Sequence, residues 1–217
     1  MEKPFRLPVP AGTRLIETFG WHPGEGVRHL PRHLARLSRS ASRLGFRYDP
    51  QAVARAVAGI AGTGPLRCRL TLAAGGEVEL TCTPLGPTPS RWRVMLAQER
   101  LDPADDWLSL KSTQRAAHDR ARAALPPGVD EALFLNGRGE CCEGTITSLF
   151  VLTETGERLT PARGCGLLPG VLREVLLDEG WAEAVLHPAD LRRARAVWVG
   201  NSLRGLIPAE LVGDPVP

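Results

Sequence analysis

The sequence predicts an α/β protein of the α+β kind, built from two domains. Three observations carry this reading. A strand, two helices and a hairpin follow one another within residues 14–82. A stretch rich in proline and glycine interrupts the chain at 83–91, and a second run of strands and helices begins at Trp92. The expected limits are a small N-terminal domain at 1–84, a linker at 85–91 and a larger domain at 92–217.

In order, Arg14 to Trp21 reads as a strand, and His22-Pro23-Gly24-Glu25-Gly26 turns the chain. Leu30, Leu34, Leu37, Ala41 and Leu44 recur on one helical face, and Gly45 stops that helix. Pro50 to Ala61 is a second helix, rich in alanine and valine. Leu66 to Leu72 and Glu77 to Cys82 are strands around Ala74-Gly75-Gly76, a hairpin. The linker carries Pro84, Gly86, Pro87 and Pro89.

Beyond it, Trp92 to Ala97 is a strand and Gln114 to Leu125 a helix, ended by Pro126-Pro127-Gly128. Glu131 to Leu135 and Thr147 to Leu152 are strands flanking the turn signal Asn136-Gly137. Val171 to Glu179 and Ala189 to Arg195 are helices, and Ala196 to Val199 is a strand.

Bulk properties narrow the function classes. A net charge of +3 spread along the chain does not make a nucleic-acid surface. The densest basic run, Arg28 to Arg47, has the helical spacing of a solvated helix face. The apolar runs are too short to span a bilayer, and Met1-Glu2-Lys3-Pro4 is not the start of a secretory signal. Five cysteines, two of them the adjacent Cys141 and Cys142, make neither a disulfide framework nor a metal site. They read as buried free thiols in a cytoplasmic protein.

Lys111 is one of only two lysines, against 25 arginines. A lysine amine can lose its proton when desolvated and attack an aldehyde, whereas a guanidinium cannot. Lys111 is placed at a strand end before a helix. Glu143 follows about 30 residues later, just before an apolar strand, where a carboxylate needs a proton or a cation, unless it is simply a turn carboxylate or part of a salt bridge. A protonated pyridine nitrogen would serve, and the pair would strengthen the ring as an electron sink. Pro169-Gly170-Val171-Leu172 opens a helix, whose bare N–H groups are a candidate anion site, the alternative being an ordinary proline-initiated helix. Ser202 could add its hydroxyl, and Arg36 could grip a phosphate bidentately. Arg67 and Arg69 alternate on one strand and share a face. They are candidates for substrate carboxylates, or else solvated arginines on an edge strand. An amine, a carboxylate and two glycine-bracketed turns are the inventory for an aldehyde cofactor with a phosphate tail.

Several segments together are similar to the class IV aminotransferases, the fold-type IV pyridoxal-phosphate enzymes. They are His33-Leu34-Ala35-Arg36-Leu37, Lys111-Ser112-Thr113-Gln114-Arg115, Glu143-Gly144-Thr145, Thr160-Pro161, Leu168-Pro169-Gly170 and Asn201-Ser202-Leu203-Arg204-Gly205. The resemblance implies a small α/β domain and a larger pseudo-barrel domain, with pyridoxal 5'-phosphate in the cleft between them. It implies that Lys111 joins the cofactor covalently and then moves protons, and that Glu143 pairs with the ring N–H. Arg36, the N–H groups of Val171 and Leu172, and Ser202 would hold the phosphate, and Leu168 would pack on the ring. A homodimer is expected.

Within the family the sequence most resembles 4-amino-4-deoxychorismate lyase, which releases pyruvate and 4-aminobenzoate for folate synthesis beside aminodeoxychorismate synthase. An aminotransferase acting on a D- or L-amino acid and a 2-oxo acid is the alternative. An inactive cofactor-binding protein is a more remote one. The chain departs from the family pattern by lacking a strand and an Arg-Gly segment before Glu17-Thr18. It also has Leu172 where threonine is common and Gln114 where asparagine is usual. The single tyrosine, Tyr48, argues against the branched-chain subfamily.

Overall fold

The computed structural model describes Phe5 and residues 8–213; the opening Met1 to Pro4 lies outside the described residues. The chain divides into two compact units. One comprises Met1–Pro87 with Leu110–Gln114, the other Thr88–Ser109 with Arg115–Pro217. The expected limits assigned Lys111 to the larger domain, whereas its segment clusters with the first unit.

The first unit is a four-stranded sheet in the order β2-β1-β3-β4, covered by helices. Its elements are β1 (Arg14–His22), β2 (Gly26–Val27), α1 (Leu30–Leu44), α2 (Pro50–Ala58), β3 (Leu66–Ala73) and β4 (Val78–Pro84). Helix α1 has the expected limits, with Pro31 in its first turn and Gly45 in the left-handed conformation at its end. Helix α2 stops at Gly59, short of the expected Ala61. Antiparallel register pairs Leu15 with Leu72, Glu17 with Leu70, and Phe19 with Cys68. Leu15, Phe19, Cys68, Leu70 and Leu72 share a core with Leu37, Ala41 and Val53 of the helices.

Residues 110–114 add to the edge of β1 that β3 leaves open. Leu15 bridges Ser112. The Ile16 N–H donates to the Lys111 carbonyl at 2.8 Å and the Thr113 N–H to the Arg14 carbonyl at 2.9 Å.

The second unit comprises β5 (Trp92–Leu101), α3 (Ala116–Ala123), β6 (Glu131–Asn136), β7 (Cys141–Gly144), β8 (Ser148–Leu152), β9 (Arg158–Pro161), α4 (Val171–Asp178), β10 (Ala182–Ala184), α5 (Pro188–Arg193), β11 (Ala196–Asn201) and β12 (Gly205–Leu211). The strands run β10-β9-β8-β11-β12-β5-β6-β7, and β7 pairs again with β8. That last pairing closes β8, β11, β12, β5, β6 and β7 into a six-stranded barrel. Side chains of alternating phase fill it: Val94, Leu133, Leu135, Cys141, Leu149, Val151, Val199 and Ile207. The opposite phase packs outward, where Ala132, Phe134 and Cys142 share a cluster with Ala117 and Ala121 of α3, and Phe150 one with Leu172 and Leu176 of α4.

Several sequence expectations change here, and β5 runs on to Leu101 rather than ending at Ala97. The turn at Asn136-Gly137 joins β6 to β7 rather than to the strand at 147–152, and α3 starts at Ala116 rather than Gln114. The strands β7, β9, β10 and β12 were not anticipated.

Candidate active site

In the first unit, β1 carries an acid in core phase. Glu17 is 1 % exposed, and α1 turns His33 and Arg36 onto it. Arg36 donates Nε to Oε1 at 2.8 Å and Nη2 to Oε2 at 2.6 Å. His33 Nδ1 lies 2.6 Å from Oε2. Burial pushes the Glu17 carboxyl upward, but the Arg36 charge and the hydrogen bonds of His33 and Arg36 outweigh it and hold it at about 2. The predicted phosphate ligand Arg36 is therefore fixed by a bidentate ion pair.

The sheet's other face carries the remaining candidates of this unit. Arg69 lies opposite Thr18 and Arg67 opposite Gly20, on the side away from Cys68 and Leu70. Strand β3 is internal, between β1 and β4, so these arginines do not sit on an edge strand. Arg67 is exposed and Arg69 half-buried. Because Ser112 pairs with Leu15, alternation places Lys111 with Ile16, Thr18, Arg67 and Arg69. Lys111 thus sits on a backbone pinned to β1 rather than at the end of a regular strand, and is itself half-buried.

In the second unit, a β-bulge sets Glu143. Between the Leu133–Gly144 and Leu135–Cys141 pairs, β6 has one residue and β7 two. The extra residue turns Glu143 toward the outer face of the barrel, where His118 of α3 meets it. His118 Nε2 lies 3.1 Å from Glu143 Oε1, and both side chains are about nine-tenths buried. Glu143 pairs with Ser148 across the closure of the barrel.

The phosphate-type turns lie next to this acid. A Cβ on Gly170, at the cap of α4, would sit 2.8 Å from Ser148 Oγ. A Cβ on Gly200 would sit 2.6 Å from the Gly205 carbonyl oxygen and 2.9 Å from Leu172 Cδ2. No side chain caps α4, so its first N–H groups, those of Val171 and Leu172 among them, point to the same place. Arg173 anchors the helix from behind through Pro161 O, at 2.9 Å, and through Glu183. Asn201 Oδ1 accepts the N–H groups of Leu203 and Arg204, both at 3.1 Å, and its Nδ2 donates to Ile146 O at 3.2 Å. The turn that carries Ser202 is thereby tied to the turn after Glu143. Leu167 is buried and Leu168 half-buried, which leaves Leu168 a face for a planar ring.

These features fit pyridoxal phosphate: a buried carboxylate for a ring N–H, and beside it a glycine-lined helix start for a phosphate. Glu143, Leu168, Val171, Leu172 and Ser202 belong to one unit; Lys111, Arg36, Arg67 and Arg69 belong to the other.

Sequence reasoning passed over three residues. Glu17 and Glu131 are acids in strand phases that otherwise face a core, and His118 falls in phase with the partly buried Ala121 of α3. Polar residues at apolar phases were the available signal. Among the described residues no group of His, Cys, Asp and Glu could hold a metal ion. No described helix is long and apolar enough to cross a membrane.

A closed barrel with an acid at its bulge, preceded by a small α/β unit, defines the class as pyridoxal-phosphate enzymes of fold type IV. Residues 14–212 match the class IV amino-transferase family, and the chain belongs to it. Members of this family depend on pyridoxal phosphate. The chain is 45 % identical to a crystal structure from Mesorhizobium loti provisionally named an amino-acid aminotransferase, which spans 92 % of this chain and 100 % of that one with a TM-score of 0.88. A Schizosaccharomyces pombe protein provisionally named aminodeoxychorismate lyase is 24 % identical over 86 % of this chain and 85 % of its own. The fold also matches 4-amino-4-deoxychorismate lyase from Pseudomonas aeruginosa, at 24 % identity and a TM-score of 0.78, over 93 % of this chain and 83 % of that one.

Proposed function

We propose that the chain is a pyridoxal-phosphate-dependent 4-amino-4-deoxychorismate lyase, releasing pyruvate and 4-aminobenzoate. The observation that supports it best is the shared sheet face of Lys111, Arg67 and Arg69. The substrate is a dianion, and two guanidinium groups on the lysine's face match its carboxylates. The lone tyrosine, Tyr48, packs on the core of the first unit, so it supports no tyrosine-lined pocket of the branched-chain kind.

Pyridoxal phosphate supplies an aldehyde that condenses with an amine and a ring that delocalises negative charge. Glu143 would hold the ring N–H. The N–H groups of Val171 and Leu172 with Ser202 would hold the phosphate and Leu168 would pack on the ring, while Arg36 is the phosphate ligand that the resemblance implies for the first unit. Lys111 takes the proton from the amine-bearing ring carbon of the substrate and delivers a proton to the enolpyruvyl methylene. The C–O bond breaks, pyruvate leaves and the ring becomes aromatic. The protein is read as a cytoplasmic homodimer of folate synthesis, working beside aminodeoxychorismate synthase.

The resemblance to the Mesorhizobium loti protein favours a second reading, transfer of the amino group from a D- or L-amino acid to a 2-oxo acid. The two are separated with purified protein loaded with pyridoxal phosphate. It is given 4-amino-4-deoxychorismate made in place, and in parallel excess D-alanine. Pyruvate and 4-aminobenzoate in equal amounts support the lyase. Conversion of the cofactor to its amine form by D-alanine, without aminobenzoate, replaces it with the aminotransferase. A protein that takes up no cofactor and turns over neither substrate would be the inactive relative. Lys111→Ala is expected to abolish turnover and the visible band of the bound cofactor.

A further inference from the structure

Glu143 is a nearly buried carboxylate with a hydrogen-bond partner on only one of its two oxygens. Oε1 meets His118 Nε2 at 3.1 Å; among the described residues Oε2 has no hydrogen-bond partner. An ionised carboxylate only accepts, so Nε2 must carry a proton in this contact. His118 is itself held. It is 8 % exposed, it sits on the inner face of α3, and its ring tilts against Phe134 with 4.9 Å between centroids. Phe134 lies in the part of β6 opposite the bulge that carries Glu143. One aromatic side chain therefore fixes the imidazole against the segment whose acid that imidazole contacts.

We propose that His118 is a positioning residue for the cofactor's ring nitrogen: it holds one oxygen of Glu143, keeping the carboxylate in a single orientation for the ring N–H. This rests on the reading of Glu143 as the partner of that N–H. His118 acts through Glu143 and does not touch the reacting atoms.

The test measures equilibrium binding of pyridoxal phosphate and of its 1-deaza analogue, in which the ring nitrogen is replaced by C–H. The proteins are the wild type, His118→Phe, His118→Gln and Glu143→Gln. A charge-assisted hydrogen bond lost behind Glu143 is expected to weaken pyridoxal phosphate binding about tenfold in His118→Phe. Binding of the deaza analogue should be unchanged. His118→Gln, whose amide N–H reaches the place of Nε2, should retain the wild-type preference for the nitrogen-bearing ring. If His118→Phe fails to fold, His118→Asn replaces it, because its shorter amide does not reach Glu143. Equal weakening of both ligands would reduce His118 to a packing residue and overturn the proposal. So would a full preference retained in His118→Phe while Glu143→Gln loses it. If wild type and Glu143→Gln discriminate alike, the Glu143 reading fails and takes the proposal with it.

Discussion

The fully buried carboxylate of Glu131 accepts the Thr145 N–H at 2.9 Å, and that bond shapes the turn after Glu143. The same carboxylate accepts the Ile146 N–H at 3.2 Å, the Thr147 hydroxyl at 2.9 Å and the Thr145 hydroxyl. Every partner is a donor. Glu131→Gln would turn an NH2 group toward donors, leaving buried groups unpaired. Urea unfolding is expected to show a loss of about 3 kcal/mol. An unchanged midpoint and slope would mean that the turn forms without this acceptor.

Gly200 is predicted to tolerate no side chain. A Cβ there would meet the Gly205 carbonyl oxygen at 2.6 Å, and backbone yields less readily than a flexible side chain. Gly200→Ala should displace the turn carrying Ser202 from the start of α4. Binding titrations should show pyridoxal phosphate weakened at least about tenfold, and unphosphorylated pyridoxal much less. Equal losses for both ligands would place the defect away from the phosphate.

The Glu17 cluster gives the protein an acid limit. The folded carboxyl sits at about 2, below its ordinary 4.5, so its stabilisation is complete above the higher value and is lost as pH falls between the two. The amount at stake is on the order of 3 kcal/mol. Unfolding free energies measured from pH 7 down to pH 2 should fall over that range. Glu17→Gln should be less stable at pH 7, because Arg36 loses its buried partner, and should show a flatter acid limb. A variant as steep as the wild type would assign the limb to other groups.

The cysteines are not all buried, as the sequence had suggested. Cys82 is exposed, directly across from Cys68 on β3, with the two sulfurs 2.9 Å apart. Burial, and then Cys82 itself, pushes the Cys68 thiol up to about 12, and burial pushes Cys141 up to about 12 as well. A thiol reagent at neutral pH should label one site quickly in the native protein, and Cys82→Ser should remove that site. Two or more fast sites would contradict the burial of the others.

Regular periodicity was the legible part of this sequence. Helix α1 and strands β1, β3 and β8 are long enough to show a period, and their limits fell within a residue or two of expectation. Strands β7, β9 and β10 have only three or four residues, too few for alternation to emerge, and Pro208 disguised β12. The motif residues Lys111, Glu143, Gly170 and Ser202 could be picked out by chemistry and spacing. Their supporting partners could not, because Glu17, His118 and Glu131 meet their partners only across a sheet, a helix or a turn.

By itself, then, the sequence determined which side chains could serve a phosphate-bearing aldehyde and which stretches would be helix or strand, because residue type and period are local properties. Tertiary structure alone decided that β7 returns to β8 to close a barrel, that a bulge turns Glu143 outward onto His118, and that Lys111 shares a sheet face with Arg67 and Arg69. Those outcomes depend on strand pairings between residues far apart in the chain, where register sets the facing of every side chain and composition carries no record of it.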